Sequence, residues 1–501
     1  MLPKQAARSF KCACGHEFVP LAEGVPCPSC GAVVIMPEGK ITGDISCLEC
    51  SYIFRKYPWW RKRRNKVLLI IAAIILFISG FVLYRWYSNT TLAEELQTEF
   101  DEWLAGLPKV PDAENGMLVL VKGTDILGKI TVPAFFWEDI IDMKDSASAT
   151  ATGQFLAANK QALDTVRKGL KYKKFLFPAD YSKGPATEIP NLLGFKIAAR
   201  AFVFQGWLHE SQGMQVLALE EYLNALRLGR TLANERSIIS AMIEVAVLGI
   251  GFKPLMENIA LNWLKPEELE YVLKELISLH RRSGDFSKAL ETEYYTGFTW
   301  IIREMAGGEI DLSELGIGRN ILFRIIFSRF LHNYRADMET FRKWLDICRK
   351  TDPANYWSMP PEAKDSDAFL KYFDIRPGEL SLVSIFLPNL IESTKFVTET
   401  EVLWRGAIAL TAVRLFQSKN GRLPKDFSEI AGLVPKELLI DPFSGKELRY
   451  RVEGSDFYLY SVGYNGTDDS GTHCAPVYKP GSEHPANTSD YVIHAPWPQK
   501  K

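Results

Sequence analysis

The chain has 501 residues, with 59 lysines and arginines against 60 aspartates and glutamates, and a formal net charge of −1. This length suggests roughly two to four domains, and the neutral balance excludes the global positive field typical of nucleic-acid-binding proteins. Six of the eight cysteines lie within the first 50 residues.

Residues 1–54 form the first predicted domain, and their cysteines come in closely spaced pairs. The segments FKCACGHEF and VPCPSCGAVV each bring two cysteines together and follow them with a glycine, which lets backbone amides point at the thiolate sulfurs. Four thiolates satisfy tetrahedral Zn²⁺, whose binding energy folds a segment too small to bury a core. The pattern resembles the zinc-ribbon family over residues 10–35, and it predicts a zinc site at Cys12, Cys14, Cys27 and Cys30.

A third cysteine pair, Cys47 and Cys50 in the segment CLEC, lacks the trailing glycine. Three metal or pairing roles stay open for it: a second zinc site completed by His16, pairing with another chain, or substitution for Cys12 and Cys14. His16 is also an alternative zinc ligand to Cys12. The remaining interpretation is a pair of reduced or redox-active thiols without metal.

A basic segment, residues 55–66, precedes a predicted membrane-spanning helix at 67–87. The uncharged run VLLIIAAIILFISGFVLY spans about 27 Å as a helix, close to the ~30 Å hydrocarbon core of a bilayer. Aromatic residues flank both of its ends, as is typical of membrane interfaces. No small-residue cleavage pattern follows the run, so we expect a retained span rather than a signal peptide.

Charge on either side of this span predicts its orientation. Basic residues cluster before it and acidic residues follow it, which places residues 1–66 in the cytoplasm and 88–501 outside it, in a bacterial inner membrane. The basic cluster is explained by topology and by anionic lipid headgroups, so the lipid bilayer is an expected partner and nucleic acid is not.

The region beyond the span is predicted to be mainly helical. Residues 88–150 form a mixed region, with a helix at Thr91–Leu107 and one or two strands within the β-branched, glycine-punctuated residues 116–136. Residues 151–395 form a helical array, in which Leu219, Tyr222, Leu223 and Leu226 share one helix face, and a second helix begins at Pro266.

Residues 396–501 form a predicted small α+β domain. A helix ends near Asn420-Gly421, and two alternating segments on either side of Gly454 predict a β-hairpin. The segments DPFSGKELRYR, FYLYSVG and DYVIHAPWP resemble the globular head of type II secretion pseudopilins of the major class, over about residues 400–494. Some 310 residues separate this module from the span, so assembly into a pilus is not expected.

Two further site predictions concern the region beyond the span. The pseudopilin resemblance implies Ca²⁺ binding in the acidic loop, at Asp468, Asp469 and Asp490, through the oxygen ligands that Ca²⁺ requires. Cys348 and Cys474 are the two cysteines after the span, and an oxidising compartment would permit them to form a disulfide.

No sequence motif identifies an enzyme. The chain has no GxSxG elbow, Walker A motif, dinucleotide fingerprint or paired histidine motif, and no small-molecule substrate is indicated. We therefore expect a non-enzymatic, membrane-anchored envelope scaffold that binds a protein partner through its outer region, in secretion or envelope assembly. The alternatives are a transmembrane regulator whose zinc ribbon contacts protein or nucleic acid, and an envelope hydrolase with an unrecognised site.

Overall fold

The structure is a computed structural model that describes residues 10–11, 17–18, 20–26, 29–37, 45–47, 49–51, 53–54, 59–132, 146–233, 235–261, 264–281, 285–310, 325–375, 382–471 and 490–496. The chain divides into two compact units, Met1–Tyr84 and Arg85–Lys501, named here the N-terminal and C-terminal units. Helices dominate the described residues, and a three-stranded antiparallel sheet lies near the C-terminus. The predicted mainly helical fold class is confirmed at this level.

Among the described residues of the N-terminal unit, the strands form three short antiparallel hairpins. They pair β1 (Phe10–Lys11) with β2 (Glu17–Phe18), β3 (Pro20–Pro26) with β4 (Val33–Pro37), and β5 (Ile45–Ser46) with β6 (Ile53–Phe54). Strands of this length bury too little apolar surface to be stable alone. The unit therefore needs another source of stability.

Helix α1 runs without interruption from Trp59 to Ala105. An 18-residue stretch in its Lys66–Ala105 part has a mean hydropathy of 2.9, and none of that stretch is buried. The helix is thus long and apolar enough to cross a membrane. The predicted helix at Thr91–Leu107 is confirmed to Ala105, but it continues the span without a break, because no glycine or proline interrupts residues 85–105 and the first breaker is Gly106.

The helices of the C-terminal unit after α1 follow one another through the chain. They are α2 Gly116–Leu127, α3 Ser146–Ala158, α4 Lys160–Gly169, α5 Leu192–Ser211, α6 Gln215–Thr231, α7 Ile238–Ala260, α8 Pro266–His280, α9 Phe286–Glu293, α10 Trp300–Gly307, α11 Tyr334–Arg349, α12 Ser366–Tyr372 and α13 Leu382–Asn420. A π-helical turn, Tyr294–Thr299, joins α9 to α10. The predicted helix start at Pro266 is confirmed, and so is the buried face of α6, whose members are Leu219, Tyr222, Leu223 and Leu226.

The strand prediction for residues 116–136 is wrong where the structure describes them, since Gly116–Leu127 is helix α2. The side chain of Asn115 accepts a hydrogen bond from the Met117 amide at 3.1 Å and caps this helix. Gly123 is not a turn residue, because a Cβ there would lie 2.7 Å from a Val166 methyl. The glycine permits close packing of α2 on α4, a role that periodicity does not reveal.

Helix α7 is a second helix that is apolar enough to span a membrane by composition. Its most apolar window has a mean hydropathy of 1.8, but 39% of that window is buried. Leu248, Phe252 and Leu255 belong to the main hydrophobic core of the C-terminal unit. Core packing therefore accounts for the apolar character of α7.

The C-terminal sheet has the order β7 (Arg449–Glu453), β8 (Asp456–Ser461), β9 (Tyr491–His494), with antiparallel pairs. The predicted hairpin is confirmed, and Gly454 between its strands has φ +62°. Side chains of α13 and of this sheet share the main core with α5 to α8. The first half of α13 contributes to a second core, which also contains Leu92 and Leu96 of α1.

Candidate metal centre

Two of the N-terminal hairpins carry cysteines in their turns. Cys30 lies between β3 and β4, whose last register pair is Pro26 with Val33. Cys47 and Cys50 lie between β5 and β6, after the register pair of Ser46 with Ile53. Each hairpin thus presents its thiols at one end of a short two-stranded ladder.

These three thiols converge to form a cysteine cluster. The Sγ atoms of Cys30, Cys47 and Cys50 lie within 4.8 Å of one another, and Cys30 and Cys47 are 3.6 Å apart at sulfur. A disulfide requires about 2.05 Å, whereas two thiolates on one tetrahedral zinc ion, with Zn–S bonds of about 2.3 Å, lie about 3.8 Å apart. The spacing therefore fits a shared metal ion.

The two cysteine turns share one backbone feature among their described residues. The residue after the second cysteine is left-handed in both, with φ +78° at Gly31 and +61° at Ser51. The Ser51 amide donates to the Cys47 carbonyl at 2.8 Å. Sequence reasoning undervalued CLEC because it lacks a glycine, but a serine tolerates this conformation at a modest cost.

Replacing Ser51 by glycine is expected to tighten metal binding. A left-handed serine costs about 1 kcal/mol relative to glycine, partly offset by the larger entropy of glycine in the unfolded chain. We expect zinc affinity to rise about twofold in chelator competition with the full-length protein, for a net gain of about 0.5 kcal/mol. Gly31→Ser is the matched control, because a Cβ at Gly31 meets nothing within 4 Å, and it is expected to weaken binding. Equal affinities for both variants would contradict the shared turn geometry.

The other predicted zinc ligands, Cys12, Cys14, His16 and Cys27, lie outside the described residues. Grouping Cys30 with Cys47 and Cys50 agrees with the alternative in which the CLEC pair takes the place of Cys12 and Cys14. A zinc site at Cys12, Cys14, Cys27 and Cys30 stays a prediction.

The aspartates predicted to bind calcium flank the C-terminal sheet. Asp468 accepts a hydrogen bond from the Tyr460 hydroxyl at 2.9 Å and forms an ion pair with Arg449 at 2.9 Å. Asp490 is buried and accepts from the Gly471 amide at 2.7 Å. Burial raises the pKa of the Asp490 carboxyl, and the charges of Asp468 and Asp469 raise that pKa further. Calcium binding stays a prediction.

The predicted disulfide partners cannot be compared, since Cys474 lies outside the described residues. Cys348 is buried in the second core, and burial raises the pKa of its thiol well above the usual range. A buried thiol of this kind behaves as a small apolar side chain.

Sequence reasoning missed a buried polar cluster that joins α8 to α13. Glu401 contacts His280 at 2.8 Å and Arg405 at 2.6 Å, and Arg405 donates to the carbonyls of Ile440 and Ala354. Burial opposes ionisation of Glu401, but the hydrogen bonds and charges of His280 and Arg405 outweigh it and lower the pKa. The cluster holds four segments of the chain together, those of His280, of Glu401 with Arg405, of Ile440 and of Ala354.

The side chain of Glu235 is buried and accepts a hydrogen bond from the Phe177 amide at 2.7 Å. Burial raises the pKa of its carboxyl from 4.5 to about 7. The folded state therefore binds this proton more tightly than the unfolded state, so the contribution to stability is full below about pH 4.5 and is lost as pH rises through about 7.

Replacing Glu235 by glutamine is expected to stabilise the protein at pH 8 and to change little at pH 5. Glutamine keeps an acceptor for the Phe177 amide and never ionises. The expected gain at pH 8 is on the order of 2 kcal/mol, given about 1.4 kcal/mol per pKa unit. Thermal unfolding of the full-length protein in detergent measures it, with the exposed Glu437→Gln as control. A gain of equal size at pH 5 would contradict the assignment.

A shallow groove of about 550 Å³ lies along α3 and α4. Its lining has neither histidine nor cysteine and includes Lys160, Asp164 and Lys168. These side chains are exposed, so water screens their charges. The groove shows no arrangement of a nucleophile with a base.

Comparisons with known protein families, with curated proteins and with solved structures found no match for this chain.

Proposed function

We propose that this protein is a single-pass membrane scaffold without enzymatic activity, which presents a helical domain for binding another envelope protein. The observation that carries the proposal is helix α1. One continuous helix contains a fully exposed apolar stretch of bilayer length and, further along, residues buried in a domain core. An exposed apolar helix of this length is stable in lipid and not in water.

The domain end of α1 is firmly packed. Leu92, Leu96 and Phe100 follow one another at four-residue intervals and are all buried. Glu95 on the same helix pairs with Arg335 of α11 at 2.9 Å. Such packing prevents the domain from turning freely about residues 89–105, which suits a scaffold that presents a surface in a fixed direction.

The topology in the proposal comes from charge. Basic residues precede the span and acidic residues follow it, which favours a cytoplasmic N-terminal unit and an extracytoplasmic C-terminal unit in a bacterial inner membrane. A cytoplasmic location would keep the cysteine cluster reduced and available to metal. Protease treatment of spheroplasts is expected to degrade the C-terminal unit and spare the N-terminal one.

The proposed metal of the cysteine cluster is zinc. Three thiolates are soft ligands that select Zn²⁺ over Ca²⁺ or Mg²⁺. Cys27 begins the same CPSC pair as Cys30, and it is the proposed fourth ligand. Zinc would supply the stability that the short hairpins lack.

A transmembrane regulator is the second candidate, and the cysteine cluster is the observation that favours it. A zinc module next to a membrane offers a docking element for cytoplasmic protein or nucleic acid. In that case the module would be needed for function, whereas a scaffold acting through its C-terminal unit would work without it.

Cross-linking in intact cells separates the two candidates. The full-length protein is cross-linked with a reagent that cannot cross the inner membrane and is then purified in detergent. The same Cys47→Ser/Cys50→Ser variant is tested for complementation of a deletion strain. A scaffold is expected to keep both its extracytoplasmic partner and complementation, whereas a regulator is expected to keep the partner and lose complementation. Cys348→Ser is the matched control. Failure to enrich any envelope protein above background would refute the scaffold.

A further inference from the structure

A short segment of the C-terminal unit, residues 325–333, packs against α1 near the first residues of that unit. The Asn89 side chain is buried and donates to the Arg329 carbonyl at 2.7 Å and to the His332 carbonyl at 3.0 Å. Arg329 in turn donates to the Thr90 hydroxyl at 2.9 Å. Phe330 and Leu331 lie between the two carbonyls that Asn89 binds.

Contacts between α11 and α1 show the direction of this packing. Arg342 contacts Glu99, and Arg335 contacts Glu95. Along these contacts the residue numbers fall together in α11 and in α1. The next contact in the same direction joins the segment 325–333 to Asn89 and Thr90. The segment therefore lies at the end of this series of contacts that is nearest to Arg85, the first residue of the C-terminal unit.

The segment exposes apolar side chains although its backbone is well anchored. Phe327 is buried in the second core, and the Tyr334 hydroxyl donates to its carbonyl. By contrast, Ile325, Phe330 and Leu331 are 50%, 46% and 39% exposed. Exposed apolar side chains on an anchored backbone cost free energy in water unless a partner covers them. These three side chains are named here the membrane-proximal tip.

The position of the tip along the helix identifies the partner. The uncharged run ends at Tyr84, and Trp86 and Tyr87 follow it, which places the edge of the hydrocarbon core near these residues. Asn89 is five residues beyond Tyr84, a rise of about 7.5 Å. The headgroup layer on each side of the hydrocarbon core is about 5–8 Å thick. Asn89, which holds the segment of the tip, thus lies about one headgroup thickness along α1 from the end of the uncharged run.

We infer that the membrane-proximal tip inserts into the headgroup–acyl boundary of the bilayer and rests the C-terminal unit on the lipid surface. The inference depends on the membrane span of the proposed function. Shallow insertion of aromatic and aliphatic side chains is the usual way in which amphipathic elements bind a membrane interface. Lipid contact at this second point, beside α1, fixes the domain's tilt as well as its distance from the bilayer.

Photo-cross-linking to lipid tests the inference on the full-length protein in phosphatidylcholine nanodiscs. The reporter p-benzoylphenylalanine replaces Phe330, with Phe77 in the span as the positive control and Val452 in the C-terminal hairpin as the exposed apolar control. Lipid adducts are expected at positions 77 and 330 and not at 452. Adducts at 77 but not at 330 would overturn the tip and leave the span intact. Absence of adducts at both positions would overturn the span and the tip together.

A second arm uses the same reporter at position 325. Changing Phe330 and Leu331 to serine removes most of the inserted apolar area, so the lipid adduct yield at 325 is expected to fall about tenfold. Both side chains are partly exposed, so the double variant is expected to fold. An unchanged yield, or cross-linking of position 330 to protein instead of lipid, would overturn the inference.

Discussion

Replacing Cys47 by serine is expected to abolish zinc binding and to unfold the hairpins of the N-terminal unit. Cys47 is the buried member of the cysteine cluster, with only 2% of its surface exposed. Because the described strands of these hairpins are short, a metal bound at the cluster would supply most of their folding free energy. Changing a residue that only supports the ligands of a metal site lowers the metal affinity about 10- to 100-fold. Loss of a ligand itself is expected to lower the affinity further.

Zinc content of the full-length protein and its release to a chelator measure this effect. Cys348→Ser, in a core of the other unit, is expected to keep its zinc and serves as the control. The two ligand sets share Cys27 and Cys30, so Cys47→Ser and Cys12→Ser separate them. If Cys27, Cys30, Cys47 and Cys50 are the ligands, Cys47→Ser loses zinc and Cys12→Ser keeps it. The reverse, with Cys47 dispensable and Cys12 essential, would establish the predicted set of Cys12, Cys14, Cys27 and Cys30.

Replacing Asp441 by alanine is expected to destabilise the C-terminal unit by about 4 kcal/mol, because it leaves several buried donors without an acceptor. Asp441 is completely buried at the start of the DPFSGK segment. Its Oδ1 accepts from the Phe443 amide at 3.0 Å and the Ser461 hydroxyl at 2.7 Å. Its Oδ2 accepts from the Ser444 hydroxyl at 3.0 Å and the Val462 amide at 3.2 Å. One carboxylate thus ties the loop before β7 to the end of β8.

Thermal unfolding of the full-length protein in detergent measures this loss. Asp441→Asn keeps the acceptor oxygen on one side and is expected to lose about half as much stability, since its amide cannot accept on the other. Asp426 is an exposed capping residue whose side chain accepts from the Ser428 amide, so Asp426→Ala is expected to cost about 1 kcal/mol. If Asp441→Ala and Asp426→Ala lower the free energy of unfolding equally, the buried hydrogen bonds of Asp441 contribute no more stability than one exposed helix cap.

Local sequence patterns predicted individual elements well where the conformation depends on residues that are near one another in the chain. The apolar run from Val67 to Tyr84 is helical and unburied, because composition over eighteen residues is enough to make a helix a candidate membrane span. The face of α6 and the hairpin around Gly454 followed from period and turn chemistry. In each case the interacting residues are neighbours in the chain.

Prediction failed where a residue's role depends on a distant partner. Gly116 and Gly123 were interpreted as strand punctuation, yet Gly123 makes room for Val166 of α4, and Gly116 makes room for Tyr172 and Phe175 after the end of α4. Likewise the sequence left three roles open for Cys47 and Cys50. In the structure the turns of two hairpins lie together, which brings these two cysteines to Cys30. Three-dimensional packing decides which thiols lie together and at which positions only glycine fits. The spacing of residues along the chain does not reveal this packing.

The sequence by itself determined that this protein carries a bilayer-length apolar helix, metal-type cysteine pairs before it and a mainly helical region after it, since these depend on composition and short-range periodicity. Only the tertiary structure decided that α1 continues into a domain core, that Cys30, Cys47 and Cys50 form one cluster, and that the membrane-proximal tip lies beside Asn89. The physical reason is that these features join residues from 17 to about 240 positions apart, and such contacts depend on how surfaces pack.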